Sequence, residues 1–151
     1  MAGVFTSVVV GTDGSQTAAT ALQAAVDLAR QSGARLYIVS AYEPVAEQRM
    51  RGEQIGAPED VQWALGQRAD VLELLAQARG LATQSGIEQV EAFARQGDAA
   101  DAILDVAEEQ AADLIVVGNK GMTGAKRFLL GSVPNKVSHH APCSVMIIRT
   151  T

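Results

Sequence analysis

Three glycines at 118, 121 and 131, spaced G-x2-G-x9-G and followed at once by Ser132, are the residues of this 151-residue chain best suited to chemistry. Glycine removes the side chain, so backbone N–H groups can close on an anion and take up conformations closed to other residues. Gly131 and Ser132 stand before a helical pattern, where unpaired N–H groups and the helix dipole favour negative charge. Charge is concentrated in the same stretch. Residues 118–136 hold Lys120, Lys126, Arg127 and Lys136 and no acidic residue, whereas the rest of the chain has eight basic residues against seventeen acidic ones. A positive patch on an acidic protein is the footprint of a bound polyanion of modest size. Glycine-rich turns and solvated basic faces are common too, but the position after an apolar strand favours a phosphate site.

Asp13 is the second candidate. It lies in the turn cluster Gly11-Thr12-Asp13-Gly14 that closes the first apolar run. A carboxylate there can accept from ribose hydroxyls or a base amino group, or it can close an Asx-turn or cap a helix. Residue type alone leaves both open. Cys143 is the one cysteine, so no internal disulfide forms, and its place after Pro142 at the entry to an apolar strand suits a buried structural thiol. His139-His140 has no partner at metal-ligand spacing and suits the exposed end of a helix.

Other chemistries lack their residues. No G-x-x-x-x-G-K-[ST] is present, and no G-x-G-x-x-G opens a helix after the first strand. A phosphoryl-accepting receiver needs clustered carboxylates, yet Asp13 stands alone and the third strand ends Arg95-Gln96-Gly97.

The elements that must position these residues alternate from end to end. Apolar runs at 7–10, 36–41, 114–117 and 145–148 predict strands, and 89–95 predicts another with one face more exposed. Between them lie helical patterns. Ser15 caps a helix with Ala18, Ala21, Leu22, Ala25, Leu28 and Ala29 on one face, stopped by Gly33. A long helix runs from about Val61 with Val71, Leu74, Leu75, Ala78 and Leu81 inward, Asp98 caps a helix carrying Ile103, Val106 and Ala107, and Ser132 caps the last, which Pro142 ends. Residues 43–60 break the rhythm: polar, with Pro44, Gly52, Gly56 and Pro58, they read as a long connection of the kind that covers ligands. Met50 and Trp63 would cover a ligand or simply pack. Five strands joined by crossover helices predict an α/β fold, an open parallel sheet with helices on both faces, binding ligands at the carboxyl ends of its strands.

Composition bounds the rest. A single domain over 1–151 suits the length, and no stretch approaches the ~20 apolar residues of a membrane span. The formal net charge of −5 argues against a nucleic-acid coat. The start, with no basic region or cleavage pattern, leads us to expect a cytoplasmic protein.

The residues that carry these patterns resemble the universal stress protein family. The likeness covers essentially the whole chain: Val8-Val9-Val10-Gly11-Thr12-Asp13-Gly14-Ser15, Asp113-Leu114-Ile115-Val116-Val117-Gly118, the glycine pattern, and Pro142-Cys143-Ser144-Val145-Met146-Ile147-Ile148. It implies a Rossmann-like five-stranded sheet of order 3-2-1-4-5 and, by the glycines, the nucleotide-binding branch. The implied ligand is ATP or cyclic AMP, with Mg²⁺ as a companion of the triphosphate. By resemblance Gly11, Thr12 and Asp13 contact the adenosine and Ala41 lines the adenine pocket. Val117, Gly118, Asn119, Lys120, Gly121 and Met122 line the ribose and phosphate side, and Gly131, Ser132, Val133 and Pro134 hold phosphate at a helix N-terminus. Many relatives carry a hydroxyl residue where this chain has Pro134. A mycobacterial-type subgroup shares Gly-Ser-Val-Pro, and some of its members favour cyclic AMP; fewer donors suit one cyclic phosphodiester. The expected activity is non-catalytic nucleotide binding in a stress or regulatory role, by a homodimer paired through residues 145–148. A slow ATPase or nucleotidyl transferase, or an interaction module with a degenerate site, are the alternatives.

Overall fold

The computed structural model describes residues 4–42, 58–119 and 130–150, with the backbone alone for 58–67. Among them, five strands alternate with four helices: β1 (Ser7–Gly11), α1 (Gln16–Ser32), β2 (Arg35–Tyr42), α2 (Pro58–Gln84), β3 (Val90–Gln96), α3 (Ala99–Glu109), β4 (Leu114–Gly118), α4 (Ser132–His140) and β5 (Ser144–Ile148). All pairs are parallel and the order is β3-β2-β1-β4-β5. The fold is therefore the expected Rossmann-like α/β sheet, with its strand order reversing between β1 and β4.

Period-two alternation inside uniformly apolar strands builds two cores. Val8, Val10, Leu36, Ile38, Leu114 and Val116 face α1 and α2, meeting Leu22, Ala25, Val26, Leu75, Ala78 and Ala82. Val9, Tyr37, Val39, Ile115 and Val117 face the other way, onto Ile103 and Val106 of α3 and Val137 of α4. Val8, Val9 and Val10 are all fully buried, as a central strand covered on both faces requires.

The helix ends follow local chemistry. Ser15 Oγ accepts the Ala18 N–H at 3.2 Å, and Gly33 stops α1 in the left-handed region at φ 69°. Asp98 Oδ2 likewise accepts the Asp101 N–H at 3.0 Å to start α3.

Several expectations are corrected. α2 begins at Pro58, inside the stretch read as connection, because proline's missing N–H has no helical partner in a first turn. Leu81 is 41% exposed and Ala82 is buried in its stead. Seven residues from Leu75, Ala82 returns to nearly the same side of the helix, while Leu81 falls about 120° away. β3 keeps the more exposed face expected of it, with Glu91 exposed opposite the buried Val90, but Phe93 on that face still packs in the second core, its ring 6.1 Å from that of Tyr37, while Ala92 and Ala94 join the first. Arg95 lies 5.2 Å over Phe93 while its guanidinium bonds Glu109 at 2.7 and 2.8 Å. Finally, Gly131 and not Ser132 is the N-cap of α4, and no side chain caps it. No helix among the described residues is long and apolar enough to cross a membrane.

Candidate functional site

The carboxyl ends of β1 and β4 open into a cleft at the point where strand order reverses, where open α/β sheets bind ligands. Gly11, Thr12 and Asp13 enter from β1, Val117 and Gly118 from β4, and Val133 and Pro134 from the first turn of α4. The cleft is narrow, with a cavity volume of about 30 Å³. Seven predicted residues, from three separate stretches of sequence, are thus brought together. Thr17 and Ala18 of α1 and Ile103 of α3 also line it. Sequence reading missed Thr17 altogether and assigned Ala18 and Ile103 to the core, since an apolar residue near a helix start carries no signal for a cleft.

The first turn after β1 is held from within. The Thr12 N–H donates to Val39 O at 2.9 Å, keeping the chain in register with β2. Asp13 Oδ1 accepts the Ser15 N–H at 2.8 Å, the Asx-turn the sequence allowed. That bond occupies one oxygen and orients the carboxylate at the cleft wall. Gly11 is needed for space: a Cβ there would lie 2.5 Å from Ile103 Cδ1. At Gly118 the nearest atom to an added Cβ is Thr150 Cγ2 at 3.4 Å, ordinary contact.

At the phosphate end the donors can be counted. The Gly131 N–H donates to Asn119 O at 2.9 Å, the Asn135 N–H donates to Gly131 O at 3.0 Å, and Pro134 has none. Only the Ser132 and Val133 N–H groups in this turn lack a partner among the described residues. Ser132 is exposed, and because it does not cap the helix its hydroxyl has no backbone duty there. Asn119 proves to be a strut: its Oδ1 accepts from the Thr150 N–H at 2.9 Å and the Thr150 hydroxyl at 2.8 Å, while its own N–H donates to Ile148 O. It ties β4, β5 and the start of α4 together.

The charge argument needs a correction. Lys136 was counted with the positive patch, but its Nζ lies 2.9 Å from Asp101 and 3.3 Å from Asp98 of α3. Bonds to Asp101 and Asp98 raise the Lys136 pKa, and the Asp101 N–H, with Lys136, holds Asp98 below the ordinary carboxylate range despite partial burial. Of the predicted patch, that leaves Lys120, Lys126 and Arg127. These, with Gly121, Met122, Met50 and the side chain of Trp63, lie outside the described residues.

Ala41 is found elsewhere than in the first cleft. It lines an adjoining hollow with Asp13, Gly14 and Ser40 on one side and Asp70, Val71 and Leu74 of α2 on the other. Asp13 is common to both spaces. Cys143 is half-buried, and burial, aided by Asp113, pushes its thiol up, so it is no activated nucleophile. His139 and His140 are exposed in the last turn of α4, as expected.

A parallel sheet with its cleft at the switch point and a helix N-terminus on the rim defines an α/β small-ligand binding fold. The model of the universal stress protein family matches residues 5–149, and the chain belongs to that family. The universal stress protein Rv1636 of Mycobacterium tuberculosis is 37% identical over 147 residues, spanning 97% of this chain and 98% of its own length. A universal stress protein solved in complex with cAMP is similar with a TM-score of 0.73 and 32% identity, over 97% of this chain and 98% of that one. The universal stress protein from Archaeoglobus fulgidus in complex with dAMP gives 0.65 and 26%, over 96% and 98%.

Proposed function

We propose that this protein binds an adenine nucleotide across the β1–β4 cleft and acts as a non-catalytic, regulatory nucleotide-binding protein. The observation that carries the reading is the convergence of Asp13, Gly118 and the uncapped α4 N-terminus on one cleft, in a family whose similar members include complexes with cAMP and dAMP. Of the two ligands considered, cyclic AMP fits the donor count better. Two N–H groups without a partner among the described residues suit one phosphodiester, whereas a triphosphate and its Mg²⁺ would need donors or cations from beyond the described residues.

A holding role for Asp13 is favoured over proton transfer. It is the sole carboxylate among the described residues of the cleft, and one of its oxygens is already occupied by the Ser15 N–H. The protein is further proposed to pair as a homodimer through β5. That strand is at the sheet edge, with Ile147 40% exposed, and a bare apolar edge is a template for another strand.

Calorimetric titration of nucleotide-free protein with ATP and with cyclic AMP, each with and without Mg²⁺, tests the reading. Micromolar cyclic AMP binding, corresponding to about 8 kcal/mol, that is tighter than for ATP and indifferent to Mg²⁺ is expected. Binding of neither would overturn it and favour an interaction module with a degenerate site. Sedimentation as a pure monomer would overturn the dimer.

A further inference from the structure

The residue that anchors the phosphate end of the cleft is itself held by a residue outside it. Asn119 follows Gly118, the last residue of β4, and both of its main-chain groups are used. Its N–H donates to Ile148 O and its carbonyl accepts the Gly131 N–H, each at 2.9 Å. Its side-chain Oδ1 accepts twice from one residue, the Thr150 N–H at 2.9 Å and the Thr150 hydroxyl at 2.8 Å. A main-chain N–H can only donate, so the first of these bonds fixes which end of the Asn119 amide is oxygen.

Gly131 is the N-cap of α4 and brings no side chain to the task. The starts of α1 and α3 are fastened by the side chains of Ser15 and Asp98. At α4 the Asn119 carbonyl does this instead, and it takes a first-turn donor that an anion would otherwise use. The Ser132 and Val133 N–H groups follow directly in the chain and have no partner among the described residues. Where they stand therefore depends on Asn119, and Asn119 stands where Thr150 holds it. Thr150 is half-buried and does not line the cleft. Its Cγ2 lies 3.4 Å from where a Cβ on Gly118 would be, so its methyl sits beside a residue of the cleft wall.

We propose that Thr150 is a positioning residue of the nucleotide site: its hydroxyl fixes the Asn119 side chain and, through the Asn119 carbonyl, sets the first turn of α4 for a phosphate. The inference rests on the adenine-nucleotide reading above and adds to it a residue beyond the cleft that governs the phosphate end. A hydroxyl that merely fastened the chain after β5 would affect stability without favouring one end of the ligand over the other.

Adenosine and cyclic AMP share the base and the sugar ring, but only cyclic AMP presents a phosphate, so the pair separates the two ends of the site. Thr150→Val keeps the shape and the main-chain N–H and removes one bond to Asn119 Oδ1. Cyclic AMP affinity, by calorimetry, should fall about fivefold, the worth of one neutral hydrogen bond. Adenosine affinity, read by displacement of cyclic AMP, should stay within about twofold of wild type. Thr150→Ser restores the hydroxyl and should bring cyclic AMP affinity back to within about twofold. In an Asn119→Ala background, which lacks Oδ1, Thr150→Val should cost no further affinity, because its effect runs through that atom. The same comparison holds with ATP in place of cyclic AMP. Equal weakening of adenosine and the phosphate ligand, no weakening of either, no rescue by serine, or additive losses in the double variant would overturn this assignment alone. Failure of the wild type to bind cyclic AMP or ATP at all would overturn the nucleotide reading and this assignment with it.

Discussion

Two aspartates sit at opposite ends of the same sheet, and their surroundings differ in one respect. At the amino end, Asp113 accepts from the Thr6 N–H at 2.8 Å, the Thr6 hydroxyl at 2.8 Å and the Ser7 N–H at 3.1 Å, fastening the segment before β4 to the start of β1. At the carboxyl end, Asp13 accepts one backbone bond, from Ser15, and faces two adjoining open spaces. One carboxylate is filled by its own chain and the other has capacity in reserve. Both follow or precede apolar strands, and both are half-buried. What separates a structural carboxylate from a binding one here is neither residue type nor burial but how much of its hydrogen bonding the fold has already taken.

That contrast can be broken by exchanging which property suffers. Asp113→Ala leaves two N–H groups and a hydroxyl without their acceptor, and should cost about 2–3 kcal/mol of stability in denaturant unfolding. Its nucleotide affinity per folded molecule should stay within about twofold of wild type. Asp13→Ala should do the reverse. Affinity should fall about tenfold or more, while stability changes by less than about 1 kcal/mol because Ser15 still caps α1. Equal losses of stability in the two variants would erase the distinction.

Acid titration sharpens it. Burial pushes the Asp113 carboxyl up, but the N–H groups of Thr6 and Ser7 and the Thr6 hydroxyl together hold it below its usual value of 3.8. A carboxyl depressed in the folded state binds fewer protons than in the unfolded chain. Its contribution to stability is therefore complete above the unfolded value, near 3.9, and is lost as pH falls through the lower folded value. Asp98 acts in the same direction. Unfolding free energy followed from pH 6 downward should drop on approach to that region, and the drop should be shallower in Asp113→Ala. An identical acid limb in wild type and variant would show that Asp113 contributes nothing through its ionisation.

The smallest effects separate two glycines at the carboxyl end. Gly11→Ala must displace Ile103 from the cleft wall and should weaken nucleotide binding several-fold. Gly118→Ala meets only ordinary contacts and should change affinity by about twofold or less. A larger effect at Gly118 than at Gly11 would place the ligand nearer to β4 than the cleft geometry indicates.

Much of this was legible before any coordinates. Uniform apolar runs such as 7–10 and 114–117 can be buried on both faces only in a parallel sheet, and the caps Ser15 and Asp98 and the stop Gly33 act through atoms a few residues away. Asp13 and the glycine ladder were visible because turn chemistry is local. Leu81 went astray for the opposite reason: which side of a long helix is covered depends on partners far along the chain.

By itself, then, the amino-acid sequence determined the parallel α/β sheet, the place of the cleft at its carboxyl end, and the kinds of groups available there. Tertiary structure decided which of those groups are still free. Lys136 is taken by Asp98 and Asp101, Asn119 by Thr150, and the Gly131 N–H by Asn119. A residue's type states how many hydrogen bonds and charges it can offer. Only the assembled fold, by bringing distant residues into contact, states how many have already been satisfied, and binding belongs to the remainder.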